Sequence, residues 1–483
     1  MTALTGKPMQ AMPRRAVPMP LLLALLMALG GCAVGPSYQR PAFNAPLAYE
    51  QAAGWVVAAP ADALDRGPWW SLFGDPELDA LAAQVEVSNQ NIAAATAAYA
   101  QARALLAVQR ASLFPVVSLN GGASRSGTGN SGGSENGART RNNFQASIGA
   151  SWEPDVWGRL RTASNGAEAS AQATAADLAS ARLSVQGELA IAYFGLRQTD
   201  AQRALLDETL VGYERSLQIA RNRYAAGITA HTDVLQAETQ LVNAQADALG
   251  LVRSRAQLEH SIAVLVGKTP AEFRIAAREP QAAPQVPEVP LDLPSTLLQR
   301  RPDIAAAERR VAVANAQVGI AQSAYYPSLG LNGSVGVGAS SVGTLFNASS
   351  LLWSLGVSAA QTLFDAGATR ERVAAASAAN DEAVARYRQT VLAAFQDVED
   401  QLAATRVLKG QEALRRQAVE SAEQVQAQMR RRYEAGQVSF SEVVTAQATA
   451  LNARRALVQL VADRQTTAVA LIQSLGGGWR APE

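Results

Sequence analysis

The chain has one cysteine among 483 residues, so no intrachain disulfide is open to it. It has two histidines, His231 and His260, with no cysteine partner and no His-Glu-x-x-His pattern, which leaves no legible metal site. Lysine and arginine number 42 against 41 acidic residues, a net charge of +1, so nothing marks nucleic acid as a partner. The apolar run from Pro20 to Leu29 is about half of the ~20 residues a helix needs to cross a bilayer. Gly267-Lys268-Thr269 imitates the end of a phosphate-binding loop, but Ile262 stands where its first glycine belongs. No nucleophile, base and orienting group form a readable arrangement. The sequence therefore predicts neither an enzyme nor a bound cofactor, and energy for any transport must come from a partner.

What is present begins at the N-terminus. Arg14-Arg15, the short apolar run and Leu29-Gly30-Gly31-Cys32 read as a signal peptide over residues 1–31, ending in a motif similar to the bacterial lipobox. Cys32 is then the lipidated first residue, expected to carry diacylglycerol and N-palmitoyl groups. Ala33 follows it where an aspartate would retain the protein at the inner membrane, so the expected address is the outer membrane.

The body states its plan twice. Arg221-Asn-Arg-Tyr-Ala-Ala-Gly227 with Thr232-Asp233 recurs as Arg430-Arg-Arg-Tyr-Glu-Ala-Gly436 with Ser441-Glu442, each position shifted by 209 residues. Asn243 and Asn452 keep that shift. Phe114-Pro115 and Tyr326-Pro327 sit 212 apart, as do Asn91-Ile92 and Asp303-Ile304. A period this long marks a duplicated half-molecule, not a solenoid of short repeats.

Residues 32–75, rich in proline and tryptophan, read as an extended arm. The first repeat spans 76–277, a proline-rich linker 278–294, the second repeat 295–475 and a tail 476–483. Proline is missing from Asp155 to Thr269 and from Ser328 to Ala481, stretches filled with strong helix formers. A helix of fifty or more residues exceeds ~75 Å and needs lateral partners along its length. Each stretch breaks at Gly227 or Gly436, which can end a helix in a left-handed conformation. Thr232 and Ser441 are the expected N-caps of the helices that follow, with Asp233 and Glu442 in their first turns. Each repeat thus predicts a helical hairpin, with its tip near 227–232 or 436–441. An earlier helix is expected from Pro76 to Phe114.

Four segments alternate apolar with small polar residues: 113–125, 143–153, 326–338 and 350–362. Phe144, Ala146, Ile148, Ala150 and Trp152, for example, alternate with Gln145, Ser147, Gly149 and Ser151. That period of two suits a transmembrane β-barrel strand, with lipid on one face and water on the other. Gly121 to Asn143 and Ser340 to Ser349 are expected as solvated outer loops. Trp152, Trp157, Tyr325, Tyr326 and Phe364 fall at strand ends, as interfacial aromatics do. Four strands do not close a barrel, which takes about eight or more. Chains must therefore share one, and small, polar inward residues argue for a trimer of twelve strands with an open lumen.

Taken together, the lipobox, Arg300-Arg-Pro-Asp-Ile304, Trp152-Glu-Pro-Asp-Val-Trp-Gly158, Leu363-Phe-Asp-Ala-Gly367, Leu475-Gly-Gly-Gly-Trp479 and the paired tip motifs resemble the outer-membrane factor family, the TolC-like exit ducts, and within it the lipoprotein branch of RND-type drug efflux. The resemblance implies an α+β membrane protein. A trimeric 12-stranded outer-membrane barrel would continue into a periplasmic tunnel of long helices. The implied partners are a periplasmic adaptor and an inner-membrane pump. It also implies a periplasmic gate at the tips, carried by Tyr433, Glu442, Thr445, Asp233 and Tyr224, with Gly227, Gly436, Arg221 and Arg430 at the adaptor contact. Arg221, Arg223 and the run Arg430-Arg431-Arg432 are expected to pair with the acids or to face the adaptor. Threonine stands at 445 where the family has a second acid, which weakens any cation site there. Type I protein secretion and metal-ion efflux stay open as alternative cargoes. An adhesive coiled-coil lipoprotein is a distant alternative, disfavoured because strand pairs occur in both halves.

Overall fold

The structure is a computed structural model that describes residues 34–43, 48–50, 68–127, 140–278, 286–287 and 300–477. Cys32, the signal peptide and the tail from 478 lie outside the described residues, as do 128–139 and most of the arm and linker.

The helices carry the duplication to the residue. Those of the first half are α1 (Pro76–Ser88), α2 (Gln90–Ala111), α3 (Arg159–Ala225) and α4 (His231–Leu265). Those of the second are α5 (Pro302–Ser323), α6 (Ala368–Glu434) and α7 (Phe440–Ser474). Both α3 and α6 run for 67 residues, and both α4 and α7 for 35. Without proline to remove a hydrogen bond, nothing stops α3 or α6 before its glycine. No described helix is long and apolar enough to cross a membrane.

The expected single helix from Pro76 to Phe114 is two. Buried Asn89 has an extended backbone (φ −69°, ψ 127°) between α1 and α2. Its Oδ1 accepts from the N–H groups of Asn91 and Ile92 at 2.9 and 3.1 Å, and its Nδ2 donates to the Leu265 carbonyl at 2.8 Å. An asparagine that caps the next helix outcompetes continuation of the first.

The strands are β1 (Val116–Gly127), β2 (Thr140–Trp152), β3 (Ser328–Ala339) and β4 (Leu351–Ala360), one antiparallel sheet in the order β1-β2-β3-β4. β1 and β3 begin later than expected because the chain is still turning out of α2 and α5: Phe114 N–H reaches the Ala111 carbonyl, and Tyr326 N–H that of Ser323. The first outer loop is shorter than expected. The ladder continues to the Gly127–Thr140 pair, since backbone pairing tolerates Gly, Ser and Arg side chains. Alternation gives the sheet two unlike faces. Leu119, Ile148, Val335 and Trp353 form a row on one; Ser118, Gly149, Ser334 and Ser354 form a row on the other, with Ser334 and Ser354 hydroxyls 2.8 Å apart. Leu119, Leu355 and Val357 are more than three-quarters exposed, as expected of side chains meant for lipid rather than water.

The chain divides into two compact units. The one holding the sheet also holds residues 34–39 and the adjoining helix ends. There Val34 N–H donates to the Trp157 carbonyl at 3.0 Å and Asn315 Nδ2 to that of Pro36 at 3.0 Å. Gly35 lies so close to Gly319 that a Cβ on it would meet the Gly319 Cα at 2.8 Å. Trp157 packs on Tyr326 (5.0 Å between centroids) and donates to the Pro327 carbonyl at 2.7 Å.

The other unit is helical. Its buried side chains include Leu189, Phe194 and Leu196 of α3, Tyr387, Val391 and Leu402 of α6, Ile262 of α4, Ile472 of α7, and Leu78, Leu81 and Val85 of α1. A short 3₁₀ turn, Trp69–Phe73, plugs into it through Phe73 on Phe194 (4.9 Å) and Trp69 on Gln186 (3.0 Å). Buried Asp75 caps α1 and accepts from Tyr193 and Arg278 at 2.7 and 3.1 Å.

Replacing Asn89 with alanine removes one helix cap and one tie to Leu265. The expected cost is about 1–2 kcal/mol. Thermal unfolding of the purified protein would read it as a lowered midpoint, and an unchanged midpoint would contradict it.

Candidate functional site

At both hairpin tips the chain leaves its long helix in the same way. Gly227 (φ 70°) and Gly436 (φ 71°) take the left-handed conformation. Their N–H groups bond the carbonyls of Tyr224 and Tyr433, while Ile228 and Gln437 bond those of Arg223 and Arg432. This is a Schellman ending. Four residues later the return helix begins, with its cap two residues before the expected one. Ala230 occupies the N-cap of α4 with no side-chain bond, and Ser439 that of α7. Thr232 and Ser441 therefore lie inside the first turns.

Under the tips Leu217, Ala220, Val234, Ala237, Tyr433, Phe440 and Val443 form one apolar cluster drawn from both hairpins. Tyr433 is 4% exposed. Its ring meets Phe440 at 5.3 Å, and the Arg223 guanidinium covers it at 4.7 Å from the centroid. Arg223 Nη1 also donates to the carbonyls of Tyr433 (3.0 Å) and Glu434 (3.2 Å), two acceptors at the end of α6. One side chain of the first hairpin thus supplies a cation–π contact and a C-terminal cap to the second. The expected pairing of Arg223 with the tip acids is not what the structure shows: the Tyr433 ring and two carbonyls at the end of α6 hold its guanidinium. Its position in the last helical turn, one residue before the repeated tyrosine, was the available signal.

The two halves part company here. Tyr224, the counterpart of Tyr433, is half exposed and rests on His231 at 5.0 Å. The Tyr433 hydroxyl is closed off from solvent with no hydrogen bond among the described residues. Burial raises its pKa, and the Asp233 carboxylate raises it further. Asp233 and Glu442 hold equivalent positions but act differently. Glu442 is exposed and turns back on its own helix, accepting from the Ser439 N–H (2.8 Å) and hydroxyl (2.9 Å). Those bonds, the backbone one first, lower its pKa. Thr445 donates to the Ser441 carbonyl at 2.9 Å. Arg221 and Glu238 lie 3.8 Å apart, and Arg430 and Glu434 4.0 Å, both pairs exposed.

Two grooves flank α7. One of about 640 Å³ runs between α4 and α7 and is lined by repeat counterparts: Thr232 with Ser441, Gln236 with Thr445, Asn243 with Asn452. The other, about 560 Å³, lies against α6 and takes in Met429, Glu442 and Thr445.

Because the Glu442 pKa is lower in the folded tip than in the unfolded chain, its cap is present above the ordinary carboxylate range and lost as pH falls through the lowered value. Limited proteolysis is expected to cut the 434–440 turn faster at acid pH in the wild type. Glu442→Gln, which keeps an acceptor but does not titrate, should lose that pH dependence; an equal pH response in both proteins would contradict the assignment.

Comparison with known proteins agrees with this architecture. The profile of the family described as outer membrane efflux protein matches residues 81–268 and 293–477. A probable efflux pump outer membrane protein of Pseudomonas putida, TtgC, is 32% identical over 462 residues, 93% of each chain. The cation efflux system protein CusC of Escherichia coli is 29% identical over 463 residues, 95% of this chain and 98% of that one. The solved structure of the outer-membrane channel OprN superposes with a TM-score of 0.85 at 30% identity, over 93% of this chain and 100% of that one. Matched by the profile in both of its repeats, the chain belongs to the outer membrane efflux protein family.

Proposed function

We propose that three copies of this chain form the exit duct of a tripartite efflux pump, fed by an inner-membrane RND-type pump through a periplasmic adaptor. The observation that carries the reading is the sheet: four strands, one apolar and one polar face, and two open edges. A polar face is useful in a membrane only around water, and open edges do not persist in lipid. Conduction is passive, and the chain does no chemistry on its cargo. Lipidation at Cys32 fits the tie of residues 34–36 beside Trp157 and Tyr326, which would set the acyl chains near the interfacial end of the sheet. Cargo is small molecules, drugs foremost. Metal ions are the second reading, favoured by the likeness to a protein named as a cation efflux component.

At the tips Arg223, Tyr433 and Asp233 form a latch that holds the two hairpins of each chain together and keeps the duct narrow. Glu442 supports it by fixing the start of α7. Thr445, with no charge, leaves the second position of an acidic ring empty. Gly227, Gly436, Arg221 and Arg430 present the surface that an adaptor meets.

Purified protein in a planar bilayer tests both levels. Wild type is expected to insert as a low-conductance pore and Arg223→Ala to raise single-channel conductance several-fold. Arg223→Lys, which keeps charge but not the fork over two carbonyls, should fall between. Equal conductance in all three would remove the latch. Protein that inserts and never conducts would remove the duct.

A further inference from the structure

The helical unit buries side chains in two regions and few between them. Toward the tips lies the cluster around Tyr433 and Phe440. Away from them lie Leu189, Phe194, Val391 and Ile472. On α7 the buried residues run from Phe440 to Ala450 and resume only at Leu460, and on α4 they stop at Ala244 and resume at Glu259. On α6 only Ala422 is buried between Leu402 and Tyr433. What is buried at this level is a small group, Leu206, Tyr213 and Ala244. Charged side chains span the gap. Arg454 reaches Glu423 of α6 at 2.5 Å and Glu208 of α3 at 3.5 Å, and Arg455 reaches Asp247 of α4 at 3.0 Å. Neighbouring residues of α7 thus touch all three other long helices. At the 209-residue shift their counterparts are Gln245 and Ala246, so the first repeat has no such ties.

Two glycines fall in the same stretch, Gly212 on α3 and Gly250 on α4. Nothing lies within 4 Å of the place a Cβ would take on either, whereas a Cβ on Gly187 or Gly195 of α3 would meet Gln473 or Leu258. Close packing within the chain therefore explains Gly187 and Gly195 but not Gly212 and Gly250. Each of the latter also has its carbonyl taken by a serine four residues on: Ser216 Oγ donates to Gly212 at 3.0 Å and Ser254 Oγ to Gly250 at 3.2 Å. Glycine loosens a helix, and glycine–serine pairs and back-bonding hydroxyls are where helices bend. We infer that residues 451–459 of α7, with the glycine–serine pairs of α3 and α4, form a flexible waist on which the tips swing. Interdigitated cores resist a change of angle between helices. Part-exposed ion pairs on long side chains do not, because they add little rigidity and can follow the motion by changing rotamer. Arg454 and Arg455 are then tethers that stay attached through the swing. On α7 no glycine or proline lies between 451 and 459, so its bend is spread over about 14 Å of helix, not sharp.

The waist rests on the proposed latch for its role and on hydrogen exchange for its existence, so the two can fail separately. In the purified full-length protein, amides of 451–459 are expected to exchange about tenfold faster than those of 440–450 and 460–474. Gly212→Ala with Gly250→Ala, which stiffens both helices without meeting a neighbour in the chain, is expected to slow exchange around 212 and 250. Added to Arg223→Ala, the same pair should take back at least half of the gain in single-channel conductance. Even exchange along α7 would overturn the waist. So would a glycine pair that leaves the conductance of Arg223→Ala unchanged, since the swing would then not bend these helices. Loss of the oligomeric mass in light scattering would show that the glycines serve packing between copies, and would overturn their part in the waist. Wild-type conductance in Arg223→Ala alone would remove the latch, and the exchange profile would then decide the waist by itself.

Discussion

A strand edge inside a membrane has no water to turn to, and the rest of this molecule follows from that. Its sheet offers four strands where a closed barrel takes about eight or more. A single chain of this kind is therefore an incomplete membrane protein. Apolar side chains such as Leu119 and Leu355 stand exposed in the isolated chain, and so do the backbone groups of β1 and β4. Both deficits are met by the same partner, another copy. Duplication suits that solution, because a chain whose halves already join at β2–β3 carries the pattern for joining its neighbours.

The tips show the opposite use of duplication. Two hairpins with the same Schellman ending and the same tyrosine have diverged at the side chains that meet. Tyr433 is buried under Arg223, while Tyr224 remains at the surface with His231. Glu442 caps its own helix, while the charge of Asp233 acts on Tyr433. Exact symmetry would give two equal contacts. The divergence gives one contact in which the first hairpin holds the C-terminal carbonyls of the second. One guanidinium carries the cation–π contact and both hydrogen bonds, which is what the proposed latch needs in order to release.

Much of this was legible in the sequence because its signals are long-range and redundant. Missing prolines fixed the reach of α3 and α6, repeated glycines fixed the tips, and alternation marked the four strands. What escaped was local competition. Asn89 breaks a helix that composition alone would continue, since its side chain satisfies both the next helix and the Leu265 carbonyl. Ser439 displaces Ser441 as the cap because the Glu442 side chain reaches back to it. Arg223 pairs with a ring and two carbonyls, a choice set by which helix end lies beside it. Such contacts depend on neighbours two hundred residues away, where spacing along the chain carries no information.

An outlet of an efflux pump is tested most directly by the susceptibility of a deletion strain to unrelated antibiotics, dyes and metal ions. Hypersensitivity to several chemically unrelated compounds, restored to the parental level by the wild-type chain, is the predicted result. Hypersensitivity confined to metal ions would retain the duct and change its cargo. Unchanged susceptibility to every compound, in a strain that expresses the pump and adaptor and has no other outer-membrane duct, would contradict the account.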